Sequence, residues 1–204
     1  ANASRIEQVA NIIDTPERKI VVLSAMAGIT NTLYDLVELS RQNNEVKVNY
    51  VLSTLHKQFF DACTELNIGS QTFCQQYISA FINYIKNLAR SSKLDIAASE
   101  IVSFGEIVTT QIVHKFLERK GMNCALIPAL SYMWLNPNGE PDHAVIREKL
   151  ESILEHHRDV QIFITEGFIC RTHTGYISNL QRGGSDYSAT IVAAAVQASV
   201  VQIW

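Results

Sequence analysis

A chain of 204 residues, 47% hydrophobic and 18% charged, can bury one sizeable core and is too apolar to be intrinsically disordered. Its 17 Lys and Arg against 20 Asp and Glu leave a net charge of -3, which lacks the basic footprint of a nucleic-acid binder. No apolar run approaches the roughly 20 residues of a membrane span, and no signal peptide precedes the first element.

In chain order, residues 4–14 place Ile6, Val9, Ala10 and Ile13 at helical spacing. Ala1 falls inside that helical pattern, so further residues are expected upstream. Lys19 to Ala25 reads as a buried strand of the kind found at the centre of parallel sheets. Gly28 to Asn31 is a turn, and Thr32 to Arg41 a helix. From about Val46 to Ala89 the apolar residues recur every three or four positions, at Val48, Val51, Leu52, Leu55, Phe59 and Cys63. After a break at Asn67 to Ser70 the pattern resumes at Cys74, Tyr77, Phe81, Tyr84, Ile85 and Leu88. This predicts a helical hairpin inserted at approximately 46–90, its apolar stripe serving packing.

Strand and helix then alternate. Phe104-Gly-Glu106 opens a helix to about Lys120, and Asn123 to Pro128 is a strand. A turn at Pro137 to Pro141 precedes a helix from Asp142 to His157, and Val160 to Thr165 is the next strand. A polar loop from Cys170 to Gly184 leads into an alanine-rich helix, and Ala198 to Trp204 starts a further strand, so continuation beyond Trp204 is expected. The alternation predicts an α/β fold with a mostly parallel, doubly wound sheet flanked by helices. Cys63, Cys74, Cys124 and Cys170 show no CxxC spacing, which favours reduced thiols over disulfides or zinc in a cytoplasmic protein. His156 and His157 are adjacent and point apart on a helix, so no metal site is expected.

Ligands in such sheets sit beyond the carboxyl ends of the strands. Three turns qualify. Ser24 to Thr30 combines small residues with a hydroxyl, although Thr30 or Asn31 capping the next helix would explain it equally. Ser103 to Glu106 sets a carboxylate at a helix start, where the helix dipole alone would favour it. Thr165 to Phe168 lies before Arg182-Gly-Gly-Ser-Asp186. In that segment Gly183 and Gly184 bring backbone N–H donors to a helix N-terminus and form an anion loop. Ser185 as N-cap and Asp186 in the first turn are also explained by capping, but capping does not require the preceding arginine and glycines.

The segments VVLSAMAGITN, SFGE, TEGFI and RGGSDYSA through VQIW, in this order, resemble the aspartokinases of the amino acid kinase superfamily. The resemblance covers nearly the whole chain, including the helical insertion, and implies a three-layer αβα fold with residues 1–204 as the aspartate-binding portion. It implies transfer of the γ-phosphoryl of ATP, with Mg2+ as its counter-ion, to the β-carboxylate of L-aspartate. The product, 4-phospho-L-aspartate, leads to lysine, threonine, methionine and isoleucine. Full-length members are expected to be homo-oligomers under allosteric control.

By the same resemblance Thr30, Glu106, Arg182 and Ser185 contact aspartate, Phe168 forms part of the wall, and Asp186 organises the catalytic lysine. The chemistry agrees: Arg182 offers a bidentate fork to a carboxylate, and Glu106 suits an ammonium. Gly183 and Gly184 can donate to a carboxylate or to charge developing during phosphoryl transfer. The family's Lys-Phe-Gly-Gly motif, ATP-binding half and regulatory ACT domains are not in this sequence, so the chain by itself is expected to be inactive. Gln181 and Cys170 stand where the family usually has glycines. Two alternatives remain: an amino-acid-binding module without catalysis, and a kinase of another acid such as acetylglutamate or carbamate. A dinucleotide-binding oxidoreductase is disfavoured because no GxGxxG follows the first strand.

Overall fold

The structure, a computed structural model, describes residues 3–68, 72–180 and 184–204. Ser70 and the side chain of Cys74, both used in reading the hairpin, lie outside what is described. Three strands form a parallel sheet: β1 (Lys19–Leu23), β2 (Cys124–Leu126) and β3 (Ile162–Glu166), in the order β1-β3-β2. All five residues of β3 are buried, whereas β1 is half-buried throughout. The continuous apolar run of β1 predicts a central strand, but among the described residues β3 is central and β1 is an edge. A parallel strand covered on both faces and paired on both sides reads as β3 does.

Side chains alternate across β3, and this alternation divides the core. Ile162 and Ile164 join Val21 and Leu23 against the helices α1 (Ala3–Ile13), α2 (Ile29–Arg41), α3 (Glu45–Glu65), α4 (Ser79–Ala89) and α5 (Leu94–Arg119). Phe163 joins Ile20 and Val22 against α6 (His143–His156) and α7 (Gly184–Ala195). The result is a three-layer αβα sandwich. The predicted helical hairpin residues run as α3, then a π-helical stretch Thr72–Ile78 leading into α4. Val48, Leu52, Leu55, Phe59 and Cys63 are buried along α3, as their spacing requires.

Four expectations need correction. The helix carrying Phe104, Gly105 and Glu106 begins at Leu94, three turns before the predicted start, so these residues lie mid-helix. Glycine is tolerated there because tertiary contact uses its missing Cβ: a Cβ on Gly105 would lie 3.0 Å from the Ala25 Cβ and 3.1 Å from the Ile29 Cγ2. This α5 is also long and apolar enough to cross a membrane by composition, contrary to the sequence reading. Yet 67% of that window is buried within the protein, so its apolarity serves the core.

The loop from Cys170 to Gly184 contains an antiparallel hairpin, β4 (Ile169–Arg171) with β5 (Ile177–Asn179). Its three-residue strands are too short to show a period. Residues 198–204, predicted as a strand, form none: Val200, Val201, Ile203 and Trp204 are exposed, and none of the described strands pairs with them.

Candidate functional site

Gly28, at φ +85°, is the N-cap of α2, and no side chain caps this helix. Thr30 is therefore released from the capping role open to it in the sequence. Its hydroxyl instead donates to Glu106 Oε1 at 3.2 Å, joining the turn after β1 to the middle of α5. A second link supports the first, because the Met26 amide donates to the buried Thr109 Oγ1 at 3.1 Å, one helical turn beyond Glu106.

Glu106 is only 3% exposed, and its Oε2 has no hydrogen-bond partner among the described residues. Mid-helix placement removes the dipole explanation for this carboxylate, since that effect fades within the first turn. Burial pushes its pKa up to about 7, against the opposing pull of the Ala25 backbone amide and the Thr30 hydroxyl. A buried acceptor left without a hydrogen bond costs free energy.

The second half of the site is built where β3 ends. Leu23 and Glu166 are paired in register, and the Gly167 amide donates to the Leu23 carbonyl at 2.8 Å, so the turns after β1 and β3 lie side by side. Phe168 then adopts φ +68°, a left-handed conformation that costs a bulky residue about 1–3 kcal/mol. Its ring packs against the α1–α5 side of the core.

The start of α7 is pressed onto this turn. A Cβ on Gly167 would lie 2.7 Å from the Ser185 Cα, and a Cβ on Gly184 would collide with the Phe168 ring. Ser185, expected as the N-cap, is instead the second residue of α7 as described, and the glycine before it packs against Phe168. Asp186 is in the first turn and exposed. Arg182 and Gly183, the cation and one glycine of the anion loop, lie outside the described residues, as does Gln181.

The structure therefore brings Thr30 to Glu106, Phe168 to Gly184 and Gly167 to Ser185, on adjacent strand ends. It also shows polar residues that sequence reasoning missed. Ser188, fully buried, bonds both Phe168 and Gly184. Asn179 on β5 donates to Ser103 Oγ at 2.9 Å, tying the hairpin to α5 one turn before Glu106. Glu166 is buried, accepts from the Ala129 amide at 2.6 Å, and has its carboxyl pushed above the ordinary range by burial. All three lie within or beside the motifs already noted, but only tertiary contacts distinguish them from ordinary polar positions.

Comparison with known proteins now gives this geometry a family. A profile described as the amino acid kinase family matches residues 1–204, and the chain belongs to that family. It is similar to the bifunctional aspartokinase/homoserine dehydrogenase 2, chloroplastic, of Arabidopsis thaliana. The two are 27% identical over 214 residues, covering 100% of this chain and 23% of that protein. Among solved structures it superposes on Escherichia coli aspartokinase III in complex with lysine and aspartate, in the T-state. The TM-score is 0.89 at 29% identity, covering 100% of this chain and 46% of the other. The R-state complex of the same enzyme with aspartate and ADP gives a TM-score of 0.88 at 28% identity. The chain spans less than half the length of these relatives.

Proposed function

We propose that this chain forms the aspartate-binding portion of an aspartokinase, which transfers the γ-phosphoryl of MgATP to the β-carboxylate of L-aspartate. The observation that carries this reading is the buried Glu106 carboxylate, bonded to Thr30 on one oxygen and unsatisfied on the other. An α-ammonium supplies the missing donor and the opposite charge together. The reading is supported by the likeness to an enzyme whose solved complexes contain aspartate.

In this proposal Thr30 orients Glu106 toward the amine, and Phe168 walls the pocket. Gly184, Ser185 and the N-terminus of the twelve-residue α7 receive a carboxylate through their backbone N–H groups. Arg182 and Gly183 complete that anion site, Arg182 through its two-pronged guanidinium. Asp186, exposed at the same helix end, orders the cationic groups around the transferred phosphoryl. Phosphoryl transfer depends on such positioning and charge neutralisation. Among the described residues no three His, Cys, Asp or Glu side chains gather as metal ligands; Mg2+ enters with the nucleotide as its counter-ion.

Calorimetry on the chain tests the binding half of the proposal. L-Aspartate is expected to bind, with L-glutamate, one methylene longer, at least tenfold weaker. Equal affinity for the two, or binding of neither, refutes an aspartate site. The catalytic half is tested in the whole protein by aspartate-dependent ADP formation from MgATP.

A further inference from the structure

Ser188 sits one turn into α7, fully buried, and its hydroxyl is used twice. It donates to the Gly184 carbonyl at 2.7 Å, an ordinary backward bond for a helical serine, and it accepts from the Phe168 amide at 2.8 Å. The second bond reaches twenty residues back to the one bulky side chain held in the left-handed region on this face. Around it, Gly167 leaves no room for a Cβ against Ser185, and Gly184 leaves none against Phe168. The Phe168 carbonyl accepts from the Leu180 amide at 2.7 Å, at the end of β5. One hydroxyl thus stands at the junction of three segments: the turn after β3, the end of the hairpin and the first turn of α7.

We infer that Ser188 is a positioning residue for the acid-binding site, fastening the left-handed Phe168 turn to the start of α7 so that wall and anion donors keep one fixed spacing. The inference rests on the proposed aspartate site for its ligand, but its geometry does not depend on that ligand. A φ near +68° is costly for phenylalanine and persists only where surrounding contacts hold it. The Phe168 amide has its partner in Ser188 alone among the hydrogen bonds described. Without that acceptor the turn gains by relaxing to negative φ. Relaxation rotates the Phe168 carbonyl away from Leu180 and frees Gly184 from the ring.

The test compares Ser188→Ala with Ser40→Ala, which deletes the same kind of backward hydroxyl bond, Ser40 Oγ to the Leu36 carbonyl, far from the site on α2. Both variants lose a helical hydroxyl and shrink by one atom, so both are expected to fold. Ser188→Ala is expected to weaken L-aspartate about five- to tenfold in calorimetry, the scale of one well-placed hydrogen bond. Ser40→Ala should leave affinity unchanged. Hydrogen exchange provides the second readout: Ser188→Ala should speed exchange at the Leu180 amide, which bonds the Phe168 carbonyl and not Ser188. If the wild-type chain binds no L-aspartate, the substrate reading fails, and the exchange arm alone decides the role of Ser188. Unchanged exchange at Leu180 overturns the inference, as does an aspartate affinity that Ser188→Ala leaves unchanged when the wild-type chain binds it.

Discussion

Glu106 shows how a single side chain separates a functional from a structural reading. In sequence its place after a glycine is compatible with a helix start. In the fold it lies mid-helix, buried, with one oxygen unsatisfied. If it receives an ammonium, Glu106→Gln removes a charge partner from a partly desolvated pocket. L-Aspartate affinity should then fall at least tenfold, while succinate, which lacks the amine, changes little; competition calorimetry with both ligands checks it. Equal losses for the two ligands remove Glu106 from the amine.

The same residue sets a pH dependence. Its folded value near 7 lies above the ordinary 4.5, so the folded state holds the proton more tightly. The stability it contributes is fully present below about pH 4.5 and is lost as pH rises through 7, on the order of 3 kcal/mol. Glu166 acts in the same direction, whereas the depressed His114 contributes stability that is lost as pH falls. The difference between wild type and Glu106→Gln in denaturant titrations at pH 4.5 and 7.5 therefore isolates Glu106. Over the same window wild-type aspartate affinity should rise with pH, because only the carboxylate attracts an ammonium.

At the scale of elements, each helix end records a different constraint. Asp142 caps α6 by accepting from the Val145 amide at 3.1 Å, on the face of the sheet away from Glu106 and Thr30. Asp142→Ala should cost about 1 kcal/mol of stability and leave aspartate affinity alone. The α7 start is instead set by interlock with the turn after β3. Gly167→Ala drives a methyl into the Ser185 backbone, so α7 must shift. A loss of about 1–3 kcal/mol is expected, together with at least tenfold weaker binding. Thermal unfolding and calorimetry on the two variants should separate a cap from a site wall. Normal affinity in Gly167→Ala would show that the interlock does not shape the pocket.

At the scale of the whole molecule, β3 couples the two helical layers. Phe163 is fully buried toward α6 and α7, and its neighbours Ile162 and Ile164 are buried toward α5. Phe163→Ala should cost about 3–5 kcal/mol. Because one strand serves both layers, amide exchange at Ile112 in α5 and Leu150 in α6 should accelerate together. Acceleration confined to α6 would show that the layers unfold separately.

The sequence by itself determined most of the alternation of strands and helices, the apolar stripe of α3, and four motifs of which the fold joins Thr30 to Glu106 and Phe168 to Gly184. These are local signals: hydrophobic period, turn residues and short ordered motifs are written in neighbouring positions. Of the second predicted stripe, Ile85 is buried on α4 but Tyr84 is exposed. Tertiary structure alone decided that β3 is central, that β4 and β5 form a hairpin and that α5 starts at Leu94. Each of these depends on which segments meet across long separations, and three-residue strands carry no period to announce it. Tertiary structure also turned Gly105 from part of a helix start into a mid-helix contact point and Thr30 from a possible cap into a partner of Glu106. Ser188 became a junction in the same way. A hydroxyl or a missing Cβ has no fixed meaning along the chain; the atoms packed against it supply one.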